Sequence, residues 1–134
     1  MHSETILVVD DDAAVLELCY SVLSRDGYQV LRAASGQQAL HLFGAGERFD
    51  MALVDVMMPD MTGVELVKRL EALEPGLRVA LTSGYSPDEV SSLTGQDASN
   101  YRIFWKPYDL RIFLQMIRNV LDTPQRVTVA SGRP

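Results

Sequence analysis

The chain is poor in the residues that mark the commonest special chemistries. It has one cysteine in 134 residues, which leaves nothing to pair in an internal disulfide and fits a reducing compartment. Cys19 stands among Leu18, Val22 and Leu23 and reads as a small buried hydrophobe. The two histidines, His2 and His41, have no ligand-like partners nearby in sequence and read as surface residues. No apolar run approaches the roughly 20 residues that a bilayer-spanning helix needs. The N-terminus, Met1-His-Ser-Glu-Thr5, has no basic stretch ahead of a hydrophobic one. A soluble, cytoplasmic protein with no membrane partner is expected. Positive charge is scarce too: 12 Lys and Arg against 18 Asp and Glu leave a net charge of −6. Such a surface repels phosphate backbones, so no direct nucleic-acid partner is expected.

What the chain does have is an apolar fraction of 47%, enough for one ordinary domain with a real core. That domain is placed at residues 4–122, with 123–134 as a tail or linker stub. Five apolar runs have strand length: Thr5–Val9, Gln29–Ala33, Met51–Val54, Arg78–Thr82 and Arg102–Trp105. Three are nearly continuous Val, Ile, Leu and Ala, the pattern of strands buried on both faces of a parallel sheet. Helix starts between them are marked by Ser35 with Gln38, Thr62 with Glu65, and Ser86-Pro-Asp-Glu89, all at capping-box spacing. Gly27, Gly44 and Gly76 signal helix ends. Leu110, Phe113, Leu114, Ile117, Val120 and Leu121 form one apolar stripe on a last helix. The segment from Ser91 to Asn100 has few good helix formers, so the fourth helix is expected to be short or mobile. Alternating strands and helices make an α/β fold: an open parallel sheet, right-handed crossovers and helices on both faces. In such folds active groups collect at the carboxyl ends of the strands.

The first strand delivers Asp10-Asp11-Asp12 to that edge, the third Asp55, the fourth Thr82-Ser83-Gly84, and the fifth Lys106-Pro107. Each alone has a plain reading: Asp12 as a helix cap, Ser83 as a turn residue, Lys106 as a solvated charge. Together, several carboxylates, a hydroxyl and an ammonium on one edge point to chemistry. Clustered carboxylates repel unless one is protonated or a cation is held among them. A hard divalent ion suits Asp oxygens, and Mg²⁺, with few protein ligands and affinity for phosphate, suits them best. A carboxylate beside such an ion can attack phosphorus to form an aspartyl phosphate. A lysine and a hydroxyl would then bind the phosphoryl oxygens.

In order along the chain, Val8-Val-Asp10-Asp11, Asp55-Val-Met-Met-Pro59 with Gly63, Leu81-Thr-Ser83-Gly84 and Lys106-Pro107-Tyr108 resemble the receiver domain of two-component response regulators. The likeness covers about residues 4–121. It implies a chemotaxis-regulator-like, flavodoxin-like (βα)₅ fold, a doubly wound sheet with strand order 2-1-3-4-5. It also implies Asp55 as phospho-acceptor. Asp10, Asp11, Asp55 and the Met57 backbone carbonyl would hold Mg²⁺, with Mn²⁺ as a substitute. Ser83 and Lys106 would bind the phosphoryl group, Ser83 preferred over Thr82 because a small residue, Gly84, follows it and because alternation along the strand would turn Thr82 to the other face. Gly84, Thr82 and Pro107, the last after a cis bond, would support them.

The family often has an aromatic three residues before the lysine, where Ile103 stands here; Trp105 shares Ile103's side of the strand, so the two mark the expected output surface. Met57, Met58 and Met61 read as packing around the acceptor loop. The implied partners are a histidine kinase or histidine phosphotransfer protein as donor and a downstream protein as target, with room for a phosphorylation-dependent homodimer. Ser3-Glu-Thr-Ile-Leu-Val-Val9 and Thr82-Ser-Gly-Tyr85 look like receivers attached to hybrid sensor histidine kinases. Such a domain phosphorylates and dephosphorylates itself and is not a turnover enzyme.

Two other readings compete. Asp10-Asp-Asp12 has the spacing of haloacid-dehalogenase-like phosphatases, with Asp10 as nucleophile and Asp12 as acid/base. Against this reading stand Ala14, the lack of a late acidic pair and the lack of room for a cap domain. A receiver that binds partners without phosphate is the other, and the complete site set counts against it.

Overall fold

The structure is a computed structural model that describes residues 2–95 and 101–123. The tail from 124 onward and the last part of the fourth-helix segment lie outside the described residues. Ten elements alternate: β1 Thr5–Val9, α1 Ala13–Arg25, β2 Gln29–Ala33, α2 Gly36–Gly44, β3 Met51–Asp55, α3 Gly63–Leu73, β4 Arg78–Ser83, α4 Pro87–Thr94, β5 Arg102–Trp105 and α5 Leu110–Asp122. The strands pair in parallel in the order β2-β1-β3-β4-β5, as expected. No helix among the described residues is long and apolar enough to cross a membrane.

Two apolar layers hold the sheet. Leu7, Val9, Ala52, Val54, Val79 and Leu81 face one way with Val64, Val67 and Leu70 of α3. Ile6, Val8, Met51, Leu53, Ala80 and Phe104 face the other way with Cys19 and Leu23 of α1 and Phe113 and Ile117 of α5. Because side chains alternate along a strand, these two rows decide which face each strand-end residue takes.

The three expected caps form: Ser35 accepts from Gln38 N, Thr62 from Glu65 N and Ser86 from Glu89 N. Ser86 also has the reciprocal bond, with Glu89 accepting from its backbone; Gln38 reaches back to accept from Ala34 N instead. Gly44 ends α2 as expected, and the left-handed turn falls two residues on, at Gly46 with φ 98°. Two other expectations need correction. Leu110, read as part of the buried α5 stripe, is exposed, because it is the helix's first residue and projects beyond the core. His2 is no free surface residue: its ring stacks on Tyr28 at 4.3 Å and faces Asp26. α4 is short, eight residues, and Val90 buries its apolar side.

Candidate functional site

Three strands place their final carboxyl-edge groups on the α1/α5 face by the period of two. Asp10 continues the row of Ile6 and Val8, Asp55 that of Met51 and Leu53, and Thr82 that of Ala80. Lys106 lies next after β5. Asp55 and Thr82 are register partners. The result is a buried knot. Asp10 is 1% exposed and Asp55 7%. Lys106 Nζ donates to Asp10 Oδ2 at 2.9 Å and lies 3.6 Å from Asp55 Oδ2. Asp11 completes a set in which one carboxylate oxygen each from Asp10, Asp11 and Asp55 lie within 4.8 Å of one another.

Backbone geometry shapes the loop after Asp55. Gly63 N donates to Val56 O at 2.8 Å, which brings the start of α3 onto the end of β3. A Cβ at Gly63 would stand 2.2 Å from the Asp55 carbonyl oxygen and 3.0 Å from Val56 Cα; only glycine permits that approach. From the same loop, Asp60 accepts from Gly36 N and Gln37 N and so closes the start of α2. Met57 N donates weakly to Asp55 Oδ1 at 3.5 Å, and Met57, Met58 and Met61 pack into the α3-side layer as expected.

The electrostatics follow from burial. Loss of solvent, then the neighbouring Asp10 charge, push the Asp55 carboxyl up to about 7 against the pull of Lys106. Burial alone would lower the Lys106 ammonium, but the bond to Asp10 and the charge of Asp55 hold it above its usual value. Two buried carboxylates, Asp10 and Asp55, thus share one ammonium, with the exposed Asp11 beside them, and Asp55 lies the farther from it. All the donors here are hard oxygens, so the set fits a magnesium-like cation better than a soft metal. The acid Asp12 is not part of it: its carboxylate accepts from Ala14 N and Val15 N and caps α1. That removes the group that a phosphatase built on Asp10 and Asp12 would need.

The two hydroxyls at the end of β4 part company. Ser83, on the opposite face, accepts from Tyr85 N at 2.9 Å and donates to Tyr85 O at 3.2 Å. The structure therefore does not bring its side chain into the carboxylate knot; only its carbonyl reaches the lysine segment, accepting from Lys106 N at 2.8 Å. Thr82, expected to face away, instead lies on the Asp55 face, because it is Asp55's register partner and continues the row of Ala80; it is bonded to the phenol of Tyr108. Gly84 is exposed with open space around it, and the Lys106–Pro107 bond is cis as expected. Ile103 is half-buried, whereas Trp105, in register with Ser83, is 43% exposed. Tyr108, quoted above only as part of the Lys106-Pro107-Tyr108 motif and given no role there, lines the site. Its signal was a phenol two residues past the lysine, but the Thr82 partner lies 26 positions away.

The family model described as "Response regulator receiver domain" matches residues 6–118. Among curated proteins the chain is 33% identical over 110 residues to sporulation initiation phosphotransferase F of Bacillus subtilis, spanning 82% of this chain and 87% of that protein. A CheY-like response regulator receiver domain protein from Methanospirillum hungatei shares 33% identity and a TM-score of 0.76, over 90% of this chain and 95% of that one. Response regulator protein TrrA of Thermotoga maritima, solved in complex with Mg²⁺ and BeF, has the same fold at 24% identity, with a TM-score of 0.72 over 87% of this chain and 98% of that one. Against longer curated relatives, transcriptional regulators and kinases among them, the chain spans from 9% to 54% of their length.

Proposed function

The chain belongs to the response regulator receiver family, and on that premise we propose that Asp55 is its phospho-acceptor and that the groups around it form the phosphorylation site. It is a receiver of two-component signal transduction. The observation that carries the residue assignment is the pairing of a buried, under-neutralised Asp55 with Lys106 inside the Asp10–Asp11–Asp55 cluster.

In this reading Asp10, Asp11, Asp55 and the Met57 carbonyl hold Mg²⁺, which supplies positive charge to the carboxylates and to the phosphoryl oxygens. The donor is a phospho-histidine of a histidine kinase or phosphotransfer protein. An Asp55 carboxylate oxygen attacks phosphorus; the P–N bond breaks and its electron pair leaves with the imidazole. Lys106, already 3.6 Å from Asp55 Oδ2, binds a phosphoryl oxygen as the new acyl phosphate forms. Ser83 gives up its bonds to Tyr85 and turns toward the same group, with Gly84 leaving room. That movement, together with Lys106, stabilises one of two conformations and shifts their populations. The readout surface is the neighbourhood of Ile103 and the exposed Trp105, offered to a downstream protein, to an attached domain or to a second copy of the chain. Water cleaves the acyl phosphate and resets the site, so the chain is a self-resetting signalling domain.

Acetyl phosphate with Mg²⁺, followed by intact-protein mass spectrometry and peptide mapping, tests the assignment. One phosphoryl group is expected on Asp55, with none on the Asp55→Asn variant. Labelling of Asp10 with Asp55 untouched would sink it.

A further inference from the structure

The chemistry above leaves one pair, a buried threonine and a half-buried tyrosine, without a task. Thr82 is 1% exposed, stands in register between Asp55 and Phe104, and its hydroxyl is bonded to the Tyr108 phenol. Its carbonyl accepts from Val56 N at 3.0 Å, so the same residue also holds the first link after Asp55. Tyr108 packs its ring against Phe113, centroids 4.9 Å apart, and Asp109 next to it caps α5. The short segment that carries Lys106 is therefore tied to the end of β4 twice: by Lys106 N to Ser83 O at 2.8 Å and by the two hydroxyls.

We propose that the Thr82–Tyr108 pair is a positioning brace that fixes the lysine segment against the strand opposite Asp55, so that the Lys106 ammonium reaches the acceptor. This rests on the reading of Lys106 as the phosphoryl-binding cation. A lysine head on a flexible four-carbon stem is placed only as well as its backbone is placed, and small misplacements of a reacting group lower rates severely. Ring packing against Phe113 sets how close the segment lies to α5. The Lys106 N–Ser83 O bond holds the start of the segment on β4 and the hydroxyl pair holds its far end, because parting the two leaves the buried Thr82 hydroxyl without its partner.

Tyr108→Phe keeps the ring and deletes the phenolic hydroxyl; Thr82→Val deletes its partner; Thr82→Ser keeps it. In the full chain, with Mg²⁺, beryllofluoride affinity followed by Trp105 fluorescence should fall about tenfold in Tyr108→Phe and in Thr82→Val. The double variant should be no weaker than the weaker single one, since the pair acts as a unit. In the protein without Mg²⁺ or beryllofluoride, the Lys106 amide and ammonium resonances should move in both single variants and stay near those of the parent in Thr82→Ser. Unmoved Lys106 resonances in Tyr108→Phe would overturn the brace, even with a lowered melting temperature, because packing alone would then explain the pair. Losses that add in the double variant would overturn it too. If the parent fails to bind beryllofluoride at Asp55, the phosphorylation-site reading fails instead, and the resonances still decide the brace.

Discussion

At the carboxyl ends of the strands two buried carboxylates share one ammonium; at the opposite ends a guanidinium meets two carboxylates that stay in contact with water. There Arg118 of α5 donates to Glu4 Oε2 at 2.7 Å, to Asp122 Oδ1 at 2.8 Å and to the Tyr28 hydroxyl at 3.3 Å. His2 stacks on Tyr28 beside it. The bond to Glu4 above all, then that to Asp122, hold the arginine firmly charged, and the same bond keeps Glu4 below its usual range. Both knots join distant parts of the chain. The lower one also sets one cation against two carboxylates, but Glu4 and Asp122 keep contact with water, and it serves as a clasp between the N-terminus, the start of β2 and α5. The upper one is under-neutralised and buried, an arrangement that lowers stability until something positive arrives. Charge kept where folding alone would discard it marks the site, and charge paired where folding benefits marks the scaffold.

The sharpest way to break the contrast is to remove the buried charge at the top. Asp55 is raised to about 7 from an ordinary 3.8, so the folded protein keeps a proton that the unfolded chain has already lost. Stability in the absence of Mg²⁺ is therefore full below about pH 4 and falls as the pH rises through about 7. Asp55→Asn should abolish that slope, raising stability at pH 8 by an amount of the order of 2–4 kcal/mol and changing nothing at pH 4. Chemical denaturation at the two pH values, with chelator, measures it. Mg²⁺ should stabilise the parent at pH 8 by mass action and should do little for the variant. A variant no more stable than the parent at pH 8 would mean that the upper knot is as well satisfied as the lower one.

A somewhat smaller effect is expected from taking away the cation. Lys106→Met leaves Asp10 and Asp55 facing each other without the ammonium that now lies 2.9 Å and 3.6 Å from them. Breaking a buried pair on one side is costly; about 2–3 kcal/mol should be lost at pH 8 without Mg²⁺. The loss should shrink near pH 5, where Asp55 takes up a proton and the repulsion relaxes. Equal losses at both pH values would place the lysine's role in packing along its stem.

The contrast also explains which parts of the molecule were legible in the sequence. All ten elements were, because strands buried on both faces write themselves as unbroken Val, Leu and Ala, and because Ser35, Thr62 and Ser86 sit where helices begin. β3 and β4 run one residue further than read, to Asp55 and Ser83, since a polar side chain ends an apolar pattern before it ends a hydrogen-bonded ladder. Asp10, Asp11, Asp55 and Lys106 could be grouped because one rule of topology sends all strand ends to one edge. The faces are where expectation fails: Thr82 is read as turned away from the site, and the structure sets it beside Asp55. Whether Thr82 or Ser83 shares a side with Asp55 depends on the register Asp55–Thr82, and registers are contacts between distant residues. The same holds for Tyr108, for Gly63 against the Asp55 carbonyl, and for His2, whose stacking partner Tyr28 is far along the chain. Local signals reach only as far as a helical turn or a strand pair, and these features lie beyond that reach.

The lower knot makes the smallest prediction and the one opposite in sign. The Arg118 and Glu4 side chains are 31% and 28% exposed, so their pair is screened and Arg118→Met should cost only about 1 kcal/mol at pH 7. Glu4 is held below its usual value, chiefly by the bond to Arg118. That contribution is present above about pH 4.5 and is lost as the pH falls through the lower, folded value. The parent–variant difference should shrink as the pH falls below about 4.5, whereas acid strengthens the parent at Asp55. High salt should separate the two ends as well: the Arg118 difference should fall toward zero in 1 M NaCl, while the Lys106 difference, shielded from the ions by burial, should change little. Denaturation midpoints of the two variants in low and high salt decide this, and an Arg118 difference that resists salt would make the lower knot as buried in effect as the upper.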